Sequence, residues 1–568
     1  MRRTAATAAA VLVLLVLASS AWAQGESGSG VTTTKALDPN VAVVVTDLDA
    51  RQPGRRLTGR EVLAIGKRHP VARGIVGSVK GAYPGVYLKR APRWQVSYFS
   101  RAKPAKEVAQ LYVDDASGRV TEAWTGYKIA WTMARGYPGA FGRTVNSPWI
   151  WIALTLAFLL PFVRVRGVRT DLAVLAAFGI SVAYFNDALI DVSVPLVYPL
   201  LAYLLVRALW IGLRRRDEHH PREPLRLAVP VAALAIGLVF LLGFRVALNV
   251  TSSNVIDVGY AGVIGADKLV TGEPLYGGFP RDNQRGDTYG PVTYAAYVPW
   301  VKGLGWSGRW DGDLPAAHAA AICFDLVACF LMFLVGRRLR GPTLGVVLAY
   351  LWAAFPLSLY VLMSNANDAL VSVFVLLAVY VAASPAARGA AVALGGLTKF
   401  APLALAPLFA THGLQRTRLR GLLVFCGSFA VVAALAFAPV VVQGQSAALV
   451  FERTLGFQAD RGSPFSVWGL YDLPGPQRVW QGLSVLLALA LAVVPRRRDV
   501  VGLAACAAAI VIALQAGVTH WFYLYVVWFF PLLAVALFAR YAETEEGPAA
   551  AREETPSQAT SSGSIAVA

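Results

Sequence analysis

The chain has 568 residues, of which 56% are hydrophobic and 15% charged, and it carries a formal net charge of +19. So apolar a composition excludes a disordered chain and an ordinary soluble enzyme, and it indicates an integral membrane protein with a smaller polar part. The charge does not point to a nucleic-acid partner, because Arg164/Arg166/Arg169, Arg214 to Arg216, Arg337/Arg338/Arg340, Arg416/Arg418/Arg420 and Arg496 to Arg498 fall in every second loop, as in cytoplasmic connections.

In chain order, Arg2 and Arg3, an apolar core through Leu17 and Ala21-Trp-Ala23 read as an export signal over 1–23. A Gly/Ser linker covers 24–35, and residues 36–146 are expected to face outward. Thr58-Gly-Arg-Glu61 is a capping-box pattern that predicts a helix through about Lys67, ended by Pro70. Strand periodicity follows in Trp94 to Phe99 and Glu107 to Val113, and Asp114 to Gly118 is a turn into Val120 to Trp124. The expected domain is therefore a small α+β unit, one helix against a three-stranded antiparallel meander.

The rest reads as a polytopic α-helical membrane protein. Three membrane helices are predicted in 147–226, at 148–163, 171–186 and 190–211. More follow in 227–540, at 227–248, 315–336, 342–362, 367–383, 421–443, 477–494, 500–517 and 521–539. The stretch 390–411, broken at Thr398-Lys-Phe-Ala-Pro402, is expected to be a short or re-entrant pair, because irregular backbone at that depth needs a protein cover. That gives about thirteen crossings, with the Glu-, Ser- and Pro-rich tail 541–568 disordered in the cytoplasm. Cys323, Cys329, Cys426 and Cys506 lie in apolar runs, so they predict packing thiols and no disulfide framework or metal spacing.

The positive-inside pattern places four polar clusters on the outer face: the loop from Asn249 to Pro291, the Asn365-Ala-Asn-Asp368 corner, the loop from Gln443 to Pro476, and His520-Trp521. Together they suggest one shared site. Sugar transfer from a lipid phosphate would need a base for the acceptor hydroxyl and cations for the departing phosphate. Asp257 is the candidate base and Asp287 a second acid. Lys399, Arg461 and Arg453 are candidate phosphate contacts, with Tyr289, Asp368 and His520 as further substrate-binding residues.

Each has a structural alternative. Asp257 would cap a loop helix, Asp287 would set the turn before Gly290-Pro291, and Asp368 would suit a helix dipole. Lys399 would snorkel to the interface, Arg461 would pair with Asp460, and His520 would join an interfacial aromatic belt. Asp187 and Asp191 are expected in a solvated turn. Walker-type and His-Glu-x-x-His signatures are missing, which argues against nucleotide hydrolysis and zinc proteolysis. No cofactor is expected and no metal is indicated, Asp257 with Asp287 being the acids a divalent cation would use.

Two resemblances carry these readings further. Tyr112 to Val120 and Trp131 to Gly142 make residues 36–146 resemble a PepSY-like domain, a type that implies binding or regulation. From about Leu227 to Phe538 the chain resembles the GT-C integral-membrane glycosyltransferases, nearest to family 87-like proteins. That likeness rests on Val255-Ile-Asp257, Gly272-x-x-x-Tyr276, Asp287-Thr-Tyr-Gly-Pro291, Asn365-x-Asn-Asp368, Leu397-Thr-Lys-Phe-Ala-Pro402, Asp460-Arg-Gly-Ser-Pro-Phe-Ser466 and His520-Trp-Phe-Tyr523. It implies a polyprenyl-phosphate sugar donor, mannose or a pentose such as arabinose being the candidate sugars. It also implies an envelope glycolipid, glycan or protein acceptor, inversion, and Asp257 as the base. Such acids usually follow the first membrane helix; here the acid follows the fourth, so three helices and the outer domain are additions. A lipid or glycan transporter and a non-catalytic receptor are the alternative functions.

Overall fold

In the computed structural model the described residues are 42–89, 92–136, 143–214, 222–310, 314–413, 418–494, 497 and 499–542. The expected export signal, the 24–35 linker and the tail beyond 542 lie outside them.

The polar part is built as the local signals require. Helix α1 (Gly59–Arg68) opens with the full capping box, Glu61 N donating to Thr58 Oγ1 at 3.3 Å and Thr58 N to Glu61 Oε2 at 2.8 Å. Pro70 does not simply end it. It occupies the first position of a second helix, α2 (Pro70–Ser78), whose cap His69 accepts the Val71 N–H, because proline lacks only an N–H that is unused there. The sheet has five strands and not three, β1 (Val43–Val44), β2 (Tyr83–Leu88), β3 (Arg93–Phe99), β4 (Glu107–Asp114) and β5 (Val120–Thr125), in the order β1-β2-β3-β4-β5. The missed β2 contains Pro84 and Gly85, which weaken a strand signal, yet it pairs with β3 over its whole length.

One sheet face packs Val86, Trp94, Val96, Tyr98, Ala109, Leu111 and Val113 against Val62 and Ala72 of the helices. The other carries Gln95, Ser97 and Gln110, also buried. Asp115 ties the domain together by accepting from Arg56 N at 2.7 Å, Leu57 N at 3.0 Å and the Trp94 indole at 2.7 Å. Burial opposes its charge, but these donors hold its pKa below the ordinary carboxylate value. Its stabilisation is present above an unfolded carboxylate value of about 4 and is lost as pH falls through the lower folded value. Asp115→Ala should cost about 2–4 kcal/mol through the unpaired indole and amides. Limited proteolysis of the full chain should then cut first within 42–125, and wild-type resistance there would refute the role.

The remainder is helical: α3 (Pro148–Leu159), α4 (Arg169–Asn186), α5 (Ile190–Leu213), α6 (Val231–Ser252), α7 (Asp257–Thr271), α8 (Pro291–Leu304), α9 (Pro315–Ala354), α10 (Pro356–Met363), α11 (Asp368–Tyr380), α12 (Pro385–Lys399), α13 (Ala406–Thr411), α14 (Arg418–Val442), α15 (Pro474–Val493), α16 (Val500–Ala516) and α17 (Val526–Phe538). Six helices among the described residues, α4, α5, α6, α9, α14 and α15, are long and apolar enough to cross a membrane. The protein is membrane-embedded. Beyond these six the apolar helices are shorter, α11 having 13 residues and α16 17, so six crossings rather than thirteen stand on length and composition among the described residues.

The 40-residue α9 is two limbs folded back at Arg340 and Gly341. Gly341 has φ +80° and ψ −177°, a conformation open essentially to glycine alone. The limbs touch just beyond the bend, where a Cβ on Gly336 would lie 2.5 Å from the Leu344 carbonyl. The 390–411 stretch breaks as expected, α12 ending at Lys399, Phe400 taking φ +52°, and a 3-10 turn over Ala401–Leu405 leading into α13. Cys329 and Cys506 are buried and Cys323 partly so, whereas Cys426 is exposed on α14, contrary to expectation.

Arginines gather at the end of the bundle where α4 begins and α5 and α17 finish. Arg207 pairs with Asp171 at 2.9 Å and, with Arg540, donates to the Gly167 carbonyl. Within the bundle Arg245 of α6 is fully buried against Asp325 of α9 and also donates to Ala353 O at 3.0 Å and Ser358 Oγ at 3.2 Å, while Trp352 donates to Asp325 at 3.0 Å. Both ions are saturated by protein partners, the condition for burying a charge.

Candidate functional site

The opposite end of the bundle collects the polar clusters. Residues 253–256 leave α6 extended and are pinned to the corner after α10, Asn254 N donating to Met363 O and Ile256 N to Ser364 O, each at 3.2 Å. Asn365, with φ +48°, donates to Ser253 Oγ at 2.9 Å and Asn254 O at 3.0 Å, and accepts from Asn249 at 2.8 Å. Gly259 permits the approach, since a Cβ there would be 2.2 Å from the Asn365 carbonyl. This clamp fixes the start of α7, whose first residue is Asp257, against the corner that leads into Asp368, the first residue of α11.

Lys399, the last residue of α12, donates to Asp368 Oδ1 at 2.7 Å, and the Trp528 indole donates to the same oxygen at 2.9 Å. Asp368 Oδ2 is buried with no hydrogen-bond partner. The ammonium lies over the rings of Tyr289 at 5.2 Å, Trp528 at 5.5 Å and Tyr525 at 5.7 Å, a cation–π cage. Tyr289 reaches it because Gly290 packs on α12, donating to Thr398 O at 3.0 Å; a Cβ on Gly290 would collide with the Leu397 carbonyl. Lys399 is held inside the site and does not snorkel.

Arg461 lies over Trp131 at 5.3 Å and Phe457 at 5.7 Å, its Nε buried without a partner. His520 shares its Nδ1 with Ser463 Oγ at 2.9 Å and stacks on Trp131 at 5.3 Å. Asp257 is solvent-accessible yet enclosed, as in a concave recess. That enclosure raises its pKa above the ordinary carboxylate value, opposed chiefly by Arg461 and then by the backbone and Lys399. Burial, aided by Arg461 and Lys399, holds the His520 imidazole well below its usual value, so it is neutral at pH 7. Burial and the Asp257 charge push the Tyr289 phenol well up, leaving it a neutral donor.

Asp287 and Arg453 meet each other instead. Arg453 binds both carboxylate oxygens at 2.7 Å, Gly277 N donates to Asp287 Oδ2 at 2.7 Å, and Arg453 reaches Gln284 O at 2.7 Å. Gln445 exchanges hydrogen bonds with both main-chain groups of Tyr276, and Gln458 donates to Thr288 at 2.9 Å. The pair stitches the 272–291 loop to the 443–458 segment, and Arg453 neutralises the acid that would have joined Asp257 around a cation. Among the described residues no three His, Cys, Asp or Glu side chains converge as metal ligands. Asp187 sits exposed in the α4–α5 turn, and Asp191 is exposed in the first turn of α5.

The sequence did not reveal Trp131, Trp528 and Tyr525 as part of this recess. Trp131 lies in a mixed run, Lys128-Ile-Ala-Trp-Thr-Met-Ala-Arg135, where nothing local ties it to this site. No protein-family model matches the chain, and no curated protein does.

Proposed function

We propose that the protein is a GT-C-type glycosyltransferase that moves a sugar from a polyprenyl phosphate to an acceptor hydroxyl on the extracytoplasmic face, with the sheet unit as a PepSY-like appendage. The supporting observation is an accessible carboxylate, Asp257, flanked by Arg461 and Lys399 in an aromatic-walled recess at the end of a membrane bundle opposite its arginine-rich end. Asp257 takes the proton of the acceptor hydroxyl as its oxygen attacks the anomeric carbon. The bond from that carbon to the phosphate oxygen breaks on the far side, with inversion. Its electron pair stays on the phosphate, whose added charge Arg461 and Lys399 stabilise. Asp287 and Arg453 shape the loop that presents Tyr289. Arg245 and Asp325, the ions a transporter reading would claim, are closed off by their own partners and line no path.

Sugar transfer in proteoliposomes, with a panel of polyprenyl-phosphate sugars and envelope lipid extract, tests this reading. Turnover with one donor is expected, and no turnover with any donor in the folded protein would overturn it. The base must be ionised, so kcat/KM should rise with pH through the Asp257 value. Because burial raises that value, the acidic limb should lie above the ordinary carboxylate range of about 4. A limb at or below about 4 would exclude a base whose pKa its enclosure raises.

A further inference from the structure

The segment joining the sheet unit to the bundle is anchored at both ends. On the sheet side, Arg135 is buried and donates to Gln110 of β4 at 2.5 Å and to Lys128 O and Ile129 O. Its guanidinium lies 5.5 Å from the Trp124 ring and 5.6 Å from the Tyr112 ring, with Glu122 at 3.8 Å. On the bundle side, Lys128 Nζ donates to Ala188 O at 3.1 Å. Gly136, at φ +58°, lies so close to the α4–α5 turn that a Cβ would be 2.4 Å from the Asn186 carbonyl.

Between these anchors Trp131 enters the recess. One ring meets His520 at 5.3 Å, Phe465 at 5.3 Å and the Arg461 guanidinium at 5.3 Å. With Arg461 Nε unpartnered, the Trp131 and Phe457 rings set where that cation points. We infer that the sheet unit governs the Arg461–His520 side of the site through the 127–136 segment, with Trp131 as a positioning residue. The phosphate role of Arg461 rests on the transferase reading; the mechanical coupling does not.

The test is hydrogen exchange of the full chain in nanodiscs, followed over 457–466 and 518–523, for wild type, Arg135→Ala, Trp131→Ala, Trp131→Phe and the exposed-pair control Arg60→Ala. Exchange in both windows should speed up in the two alanine variants, largely recover in Trp131→Phe and stay at the wild-type rate in Arg60→Ala. Wild-type protection in Trp131→Ala overturns the proposal whatever the transfer assay gives. If Arg135→Ala unravels the sheet, seen as lost protection over 94–113, the two Trp131 variants decide. In transfer assays Trp131→Ala should raise the donor KM by about 2- to 30-fold, the range of one cation–π contact, with kcat changed less. Faster exchange with no transfer by wild type would leave the coupling standing and sink the transferase reading instead.

Discussion

Asp257→Asn should lower sugar transfer by about 10²- to 10⁴-fold, the usual contribution of a positioned general base, while the protein folds and still binds polyprenyl phosphate. The amide fills the same volume at the start of α7 and keeps the main-chain bond from Asn283 to the residue 257 carbonyl at 2.8 Å. What disappears is the proton acceptor and one negative charge beside Arg461 and Lys399. Affinity for the phosphate product should therefore hold or increase as transfer collapses. Single-turnover transfer of a radiolabelled sugar gives the first quantity, and quenching of the site tryptophans by added polyprenyl phosphate gives the second. Equal transfer by both proteins would remove Asp257 from the mechanism. Equal loss of transfer and product binding would mark it as a structural residue.

Lys399→Gln should damage both stability and donor use, and a second substitution separates the two. The Lys399–Asp368 pair is almost wholly shielded, at 6% and 0% side-chain exposure. Removing the cation leaves a buried carboxylate supported only by the Trp528 indole, at a cost of about 3–5 kcal/mol. Asp368→Asn in the same chain removes the stranded charge and should restore most of the thermal stability. It cannot restore the cation, so the double variant should keep a donor KM about ten- to a hundred-fold above wild type, the range of one charge-assisted hydrogen bond. A double variant with wild-type stability and wild-type donor saturation would reduce Lys399 to a packing ion.

Features governed by neighbouring residues were legible in the chain. The Thr58–Glu61 box, the 114–118 turn and the break at Lys399 each depend on a few residues, and each formed. The four polar clusters also meet, because alternate helix ends must return to the same end of a bundle. Sequence-distant pairing was not legible: Asp287 and Arg453 are 166 residues apart, and nothing local marks either as the other's partner. The number of crossings was legible only in part. Hydropathy sees apolar composition, which in α11, α16 and α17 goes with burial by other helices, and it does not see that these helices are shorter than the six long ones. Trp131 escaped because its partners come from the far side of the chain, at Arg461, Phe465 and His520.

The buried Arg245–Asp325 pair bears on how the chain is made. An arginine near the middle of a lone membrane helix costs about 2.5–3.5 kcal/mol to insert, and the residue that cancels this cost lies 80 positions further on. Ribosomes add about 5–20 residues per second, so α6 waits roughly 4–16 s for its counter-ion. During that interval it must linger at the translocon or hold its arginine near the headgroups. Its final registration in the membrane is thus a joint event with the first limb of α9, and a chain truncated before Asp325 would leave α6 poorly inserted.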